Sequence, residues 1–335
     1  MSATLAVVVP TYNGARYLRE TLDSLLRQDL PPTEVICIDD GSTDDSVRIA
    51  SEHELAPTVI PQRNLGVAVA RNHGASVATT SHVTFLDQDD LWHPTRCRSL
   101  VERLDQGYDG VLVTTETSFA IHEEREALAR HGAEIAAWPT MFVSGERALD
   151  ELVSRADPTG SGTISTIPRK RIIDGPVTVT TSVVYDRQLY FKVGGCAPWA
   201  GAMDDYVLLV SASRLVPVHL ADEPTLFYRV HASSESRRTK LSMPFLAAGL
   251  ALRTGAPRAV EADERWVDLE AAGLYRQCFA DLATSATARD RQAASAFARL
   301  LLEGQNRRAV ELWRRRNDVK HRVPGLSAAL RRWRS

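Results

Sequence analysis

The sequence predicts an α/β protein with a mostly parallel central sheet flanked by helices and a C-terminal helical extension. Three observations point to this class. Short β-branched apolar runs alternate with helically spaced segments over residues 5–113, each run ends in a Pro-, Gly- or Asp-rich turn, and from Ser242 onward Ala, Leu and Arg dominate. With 335 residues, 44% of them hydrophobic, the chain can bury a large core, and extended disorder is excluded. Apolar runs such as Leu5–Val9 fall far short of the roughly 20 residues that span a bilayer. Met1–Thr4 lacks a basic leader, so a cytoplasmic location is expected. Cys37, Cys97, Cys196 and Cys278 are widely spaced and read as reduced, mostly buried thiols.

Residues 5–9 (LAVVV) suit a strand buried on both faces, broken by Pro10-Thr11-Tyr12-Asn13-Gly14. Leu18, Leu22, Leu25 and Leu26 recur at helical spacing before Pro31-Pro32. A second strand, 34–38, runs into Asp39-Asp40-Gly41-Ser42-Thr43-Asp44, with a helix over 45–54 and a third strand at 58–60. Gly66 to Ala78 is a small-residue helix, and a fourth strand, 83–86, stops at Asp87-Gln88-Asp89-Asp90. A fifth apolar run is 111–113; residues 119–156 look helical and polar, and 157–176 reads as a loop long enough to act as a lid. Strand-like 177–185, a helix over 203–215 that opens on acids and a strand at 226–230 follow. In a parallel α/β sheet ligands bind beyond the carboxyl ends of the strands, so the polar turns at 10–14, 39–44 and 87–90 lie where a ligand belongs.

Asp87-x-Asp89-Asp90 places three carboxylates within four residues at a strand end. Such carboxylates repel one another unless a hard cation, magnesium or manganese, neutralises them; the alternative is a turn with a helix cap. The acidic turn at 39–44 can accept a base imide or a ribose hydroxyl proton, or it can cap a helix. Arg71 suits either a phosphate or a salt bridge. Asp204-Asp205 opens an apolar helix, either as a complement to its dipole or to present a general base. Arg229 and His231, two apart on a strand, share a face; His231 also fits a structural histidine.

Val9–Gly14, Ile38–Asp44, Asn64-x-Gly66 with Ala70-Arg71-Asn72, Phe85–Asp90 with Trp92 and Pro94, Thr181–Val184, Val193–Gly195, Asp204-Asp205 and Tyr228–His231 occur in series over residues 4–235. Together they resemble the family 2 inverting glycosyltransferases of GT-A fold. The resemblance implies a nucleotide-sugar-binding half over 1–115, a catalytic and acceptor-binding half over 116–235, and an extension over 236–335. It implies a nucleotide-diphosphate sugar, with a uridine one as the family default, bound by Pro10, Thr11, Tyr12, Asn13, Asp39, Asp40, Asn64, Gly66, Arg71, Asp87, Gln88, Arg229 and His231. Asp89 with Asp87 would hold Mn2+ or Mg2+. Asp205 matches the catalytic base, with Asp204 where Glu is more usual, and Trp92, Ser182, Gly194 and Gly195 face the acceptor. That acceptor would be a saccharide, a lipid-linked sugar or a small molecule.

Other classes fit less well. A phosphohydrolase also sets Asp-x-Asp after a strand but needs a downstream Lys, and Lys occurs only at 170, 192, 240 and 320. A dehydrogenase needs G-x-G-x-x-G after the first strand, where Pro10–Gly14 stands. A catalytically inactive nucleotide-sugar-binding module remains the non-enzyme alternative. Residues 306–335 carry a charge of +8 against −10 for the rest, with Trp313 and Trp333 among the basic residues. That tail suits contact with an anionic membrane face or a solvated helix end; the acidic body and the lack of any zinc-finger, KH or RRM signature argue against nucleic acid.

Overall fold

The computed structural model describes residues 2–121, 140–144, 148–174, 177–196 and 204–231. Two compact units divide the chain: Met1–Pro198 with Ala212–Ser234, and Trp199–Ser211 with Glu235–Ser335. The predicted extension and its basic tail lie outside the described residues. No helix among those described is long and apolar enough to cross a membrane.

In the first unit β1 (Leu5–Thr11), β2 (Glu34–Asp39), β3 (Thr58–Pro61) and β4 (His82–Phe85) pair in parallel in the order β3-β2-β1-β4. Every residue of β1 is buried, as its continuous apolar run requires. Because β2 and β3 lie on one side of β1 and β4 on the other, the strand order reverses beside β1, opening a crevice at the carboxyl ends. Helices α1 (Leu18–Leu26), α2 (Ser46–Ser51) and α3 (Val67–Val77) make the connections. Ala68, Ala70, Gly74 and Ala75 are the buried small residues of α3, which packs on β1 and β2.

The sheet continues as β9-β6-β10-β5, with mixed directions. β6 (Val111–Ile121) runs parallel to β10 (Val218–Arg229), and β9 (Val183–Asp186) is antiparallel to both β4 and β6. β5 (Leu91–Trp92) pairs antiparallel with the end of β10, and α4 (Arg96–Asp105) follows it. The core between α1, α4 and the sheet gathers Leu18, Leu22, Leu25, Trp92, Cys97, Leu100, Leu112 and Leu226.

Two expectations are corrected. The polar run expected to be helical contains the end of β6 and β7 (Thr140–Val143), which pair in parallel; only α5 (Ala148–Arg155) is helical among its described residues. A central strand tolerates Thr and Ser because neighbouring strands satisfy its backbone, which hides it from a polarity count. The expected lid over 157–176 contains β8 (Ile164–Thr166), antiparallel to β10, and α6 (Arg169–Asp174). Ser161 Oγ donates to Asp222 Oδ2 at 2.6 Å and Asp222 N donates to Thr163 O at 3.0 Å, fastening this segment to β10.

Candidate functional site

The turns after β1, β2 and β4 meet at the crevice. Asp40 N donates to Thr11 O (2.7 Å), Asn13 N to Ser42 Oγ (2.9 Å), and Thr43 N to Asn13 Oδ1 (2.8 Å). Gln88 clasps the first turn: its Oε1 accepts from Tyr12 N at 2.8 Å and its Nε2 donates to Tyr12 O at 3.1 Å. Tyr12 itself is 47% exposed, an aromatic ring offered to the crevice. Pro10 and Thr11 are buried at the end of β1.

Asp39 is buried; its Oδ2 accepts from the N–H groups of Gly41 (3.2 Å) and Ser42 (3.1 Å), while Oδ1 has no hydrogen-bond partner among the described residues. An unsatisfied buried acceptor at a sheet's ligand edge is a place for a donor from outside. Asp40 behaves differently. Its oxygens accept from Gln62 Nε2 (2.7 Å), Leu65 N and Gly66 N (both 2.8 Å). These bonds shape the 62–66 loop, in which Asn64 and Gly66 are exposed.

Buried Arg71 donates from Nη2 to Asp87 Oδ1 at 2.8 Å. Its neighbour Asn72 works at another turn, accepting from Tyr190 Oη (2.6 Å) and Cys196 N (2.9 Å) and donating to Cys196 O (2.8 Å). Gly195 lies against it at φ +60, where an added Cβ would fall 2.4 Å from Asn72 Oδ1. Gly195 is buried in this packing, and Gly194 is exposed at the same turn.

The Asp87–Asp90 turn is bound to the end of β10. Asp89 Oδ2 lies 2.8 Å from His231 Nε2. Asp89 O accepts from Arg229 Nε (2.7 Å), and Asp90 Oδ1 accepts from Arg229 N (2.9 Å). Asp90, the third carboxylate of this turn, is buried, and its Oδ2 accepts from Thr181 Oγ1 at 2.9 Å. Burial, then the charges of Asp89 and Asp87, raise its carboxyl well above the ordinary range. Arg229, expected over a diphosphate, turns its side chain inward. Its guanidinium is buried, 4.7 Å from the Tyr17 ring and 4.6 Å from that of Phe119, and Nη2 meets Glu20 Oε2 at 2.5 Å.

Two of the residues expected on the acceptor side, Trp92 and Ser182, are buried. Trp92 is 0% exposed, with the Arg96 guanidinium 4.8 Å from its ring. Ser182 is buried in a 3-10 turn. An apolar residue soon after an acidic turn looks like a pocket wall in sequence; here it turns down into the core. α1 and the residues just after it support this segment: Thr21 Oγ1 donates to Gln88 O (2.9 Å), Ser24 Oγ accepts from Trp92 N (3.1 Å), and Gln28, beyond the end of the helix, bonds His93 O and Cys97 N (2.9 Å each). The signal was present as Thr21, Ser24 and Gln28, at spacings of three and four among the leucines.

Asp204 and Asp205 form the first turn of α7 (Asp204–Ala212); Asp205 Oδ1 accepts from Tyr206 N at 2.6 Å. Both belong to the second unit. Among the described residues no three His, Cys, Asp or Glu side chains group as a ready metal cage, but Asp89 and His231 stand as a pair of suitable donors. Described Cys37, Cys97 and Cys196 are buried; burial pushes the Cys37 and Cys97 thiols to about 12, as inert core residues.

A reversed parallel sheet with acidic turns gathered at its crevice defines a protein of the GT-A class. Residues 6–170 match the sequence profile of glycosyl transferase family 2. The uncharacterized glycosyltransferase YibD of Escherichia coli is 43% identical over 100 residues, 29% of each chain. The putative teichuronic acid biosynthesis glycosyltransferase TuaG of Bacillus subtilis is 35% identical over 102 residues, 29% of this chain and 40% of its own. The chain thus spans well under half the length of these curated relatives. In fold it is similar to S. aureus TarS (residues 1–349) solved with UDP-GlcNAc, with a TM-score of 0.60 and 19% identity, over 89% of this chain and 81% of that one.

Proposed function

We propose that the protein transfers a sugar from a nucleotide-diphosphate donor to an acceptor hydroxyl with inversion at the anomeric carbon. The observation that carries the reading is the joining of the turns after β1, β2 and β4 around the orphaned oxygen of Asp39 and the Asp89–His231 pair. TarS, of the same fold, was solved with UDP and with UDP-GlcNAc, which favours a uridine diphosphate sugar. Tyr12 would stack on the base and Asp39 accept its imide proton. Arg71 would hold Asp87 towards the ribose.

A carboxylate beside an imidazole suits Mn2+ or Mg2+, and diphosphate oxygens can complete the coordination. Asp89 and His231, with Asp87, would hold the ion, which when bound neutralises charge on the departing diphosphate. Asp205 is the proposed general base, with Asp204 beside it. It takes the proton from the acceptor hydroxyl, the freed oxygen bonds to the anomeric carbon, and the bond to the diphosphate oxygen breaks on the opposite face. The acceptor is proposed to be a surface saccharide or lipid-linked sugar, a reading supported by the name of TuaG, which assigns that relative to teichuronic acid biosynthesis.

The test is a panel of nucleotide sugars assayed with Mn2+ and with EDTA. Transfer or donor hydrolysis should need the metal, and Asp205→Asn should abolish transfer while nucleotide affinity stays within a few-fold. Full activity in chelator rejects the metal assignment, normal transfer by the variant rejects the base, and nucleotide binding without turnover favours an inactive module.

A further inference from the structure

We propose that Glu20, in the first turn of α1, is a positioning residue that sets His231 against Asp89; the inference rests on the glycosyl-transfer reading only for the consequence of that placement. Two neighbouring residues of one helix hold the two halves of the pair. Thr21 Oγ1 donates to Gln88 O, inside the Asp87–Asp90 turn. Glu20 Oε2 accepts from Arg229 Nη2, two residues before His231.

The Arg229 guanidinium, its side chain 1% exposed, is the means of transmission. A desolvated cation needs an anion, and Glu20 supplies the side-chain carboxylate that the guanidinium meets. Its other fixed contacts are Asp89 O and the rings of Tyr17 and Phe119. Tyr17 extends the same hold, its ring centroid 4.8 Å from that of His231. From Arg229 the backbone continues through Val230, whose N–H donates to Phe119 O at 2.8 Å, to His231. Without the Glu20 charge the guanidinium gains by turning towards water. That movement strains both the Asp89 and Asp90 bonds to Arg229 and carries His231 away from Asp89. An acid in a first turn ordinarily complements the helix dipole; this one is spent on a partner 209 residues away.

Hydrogen exchange on the full-length protein tests the bracket without any ligand. In Glu20→Gln, the amides of Arg229 and Val230 should exchange about tenfold faster than in the wild type, while those of β1 stay unchanged. Unchanged exchange at Arg229 and Val230 overturns the proposal. If Glu20→Gln does not fold, Glu20→Asp, which keeps the charge on a shorter arm, must still quicken exchange at Arg229, and failure to do so overturns it equally. The consequence is read by uridine diphosphate affinity with and without Mn2+. Glu20→Gln should weaken the Mn2+-dependent affinity about tenfold, leave the metal-free affinity unchanged, and add nothing in a His231→Ala background. Additive losses would show that Glu20 acts elsewhere and overturn the proposal. A wild-type protein that ignores uridine diphosphate with Mn2+ rejects the glycosyl-transfer reading alone, and the exchange result still decides the bracket.

Discussion

Replacing Glu116 by Gln should make the protein more stable above neutral pH and leave it little changed in mild acid. Glu116 stands within β6, opposite Leu226 of β10, and is only 8% exposed. Burial raises its carboxyl from 4.5 to about 7, with the Arg96 cation pulling the other way. Between those two values the folded chain keeps a proton that the unfolded chain has released. Stability from this group is therefore complete below pH 4.5 and is lost as pH climbs to 7. At roughly 1.4 kcal/mol per pH unit of separation, the loss is about 3 kcal/mol. Gln keeps the shape of the protonated acid and cannot ionise. Denaturant unfolding at pH 4.5, 6 and 8 should give a variant-minus-wild-type difference that grows from near zero to about 3 kcal/mol in the variant's favour. Other titrating groups cancel in that difference. A difference that stays constant with pH would refute the reasoning, because it would mean that Glu116 ionises alike in both states.

Asp40→Ala removes three hydrogen bonds to the 62–66 loop, each with a charged acceptor worth about 1.5–3 kcal/mol. Donor KM should rise at least about tenfold with kcat nearly kept, whereas an unchanged KM would show the loop to be irrelevant to nucleotide. Gly195→Ala combines positive φ with a clash on Asn72, so the melting midpoint should fall by an amount corresponding to about 1–3 kcal/mol; an unshifted midpoint in a thermal melt would contradict this. Full-length protein should float with anionic vesicles, and a chain ending before Asn306 should not, as read by density-gradient flotation; equal flotation would dismiss the basic tail as the membrane contact.

The first half of the sheet was legible because each parallel strand is an unbroken apolar run closed by a polar turn. The turns at 10–14, 39–44 and 87–90 mark the crevice for the same reason: acids and small polar residues there stand outside any periodic pattern. Side-chain direction was not legible. Trp92 and Arg229 sit beside acidic or polar turns and were expected at the ligand, yet both turn inward, Trp92 under Arg96 and Arg229 between two rings. Asp39 and Asp40 are adjacent and chemically identical, and only the loop packed against Asp40 separates their roles. Glu20 could not be found at all, because an acid in a helix's first turn needs no distant partner to explain it. Likewise Thr115 and Thr117 flank Glu116 in β6, and their polarity masked a central strand.

The pair of hydrogen bonds between Gln88 and the Tyr12 backbone has an evolutionary corollary. Glutamine alone among extended side chains offers donor and acceptor on one terminal plane; glutamate there would press a negative oxygen on the Tyr12 carbonyl. A methyl group on Gly14 would sit 2.2 Å from Gln88 Oε1. Positions 14 and 88 should therefore drift together among descendants of this sequence, a bulkier residue at the first tolerated only where the second has shortened.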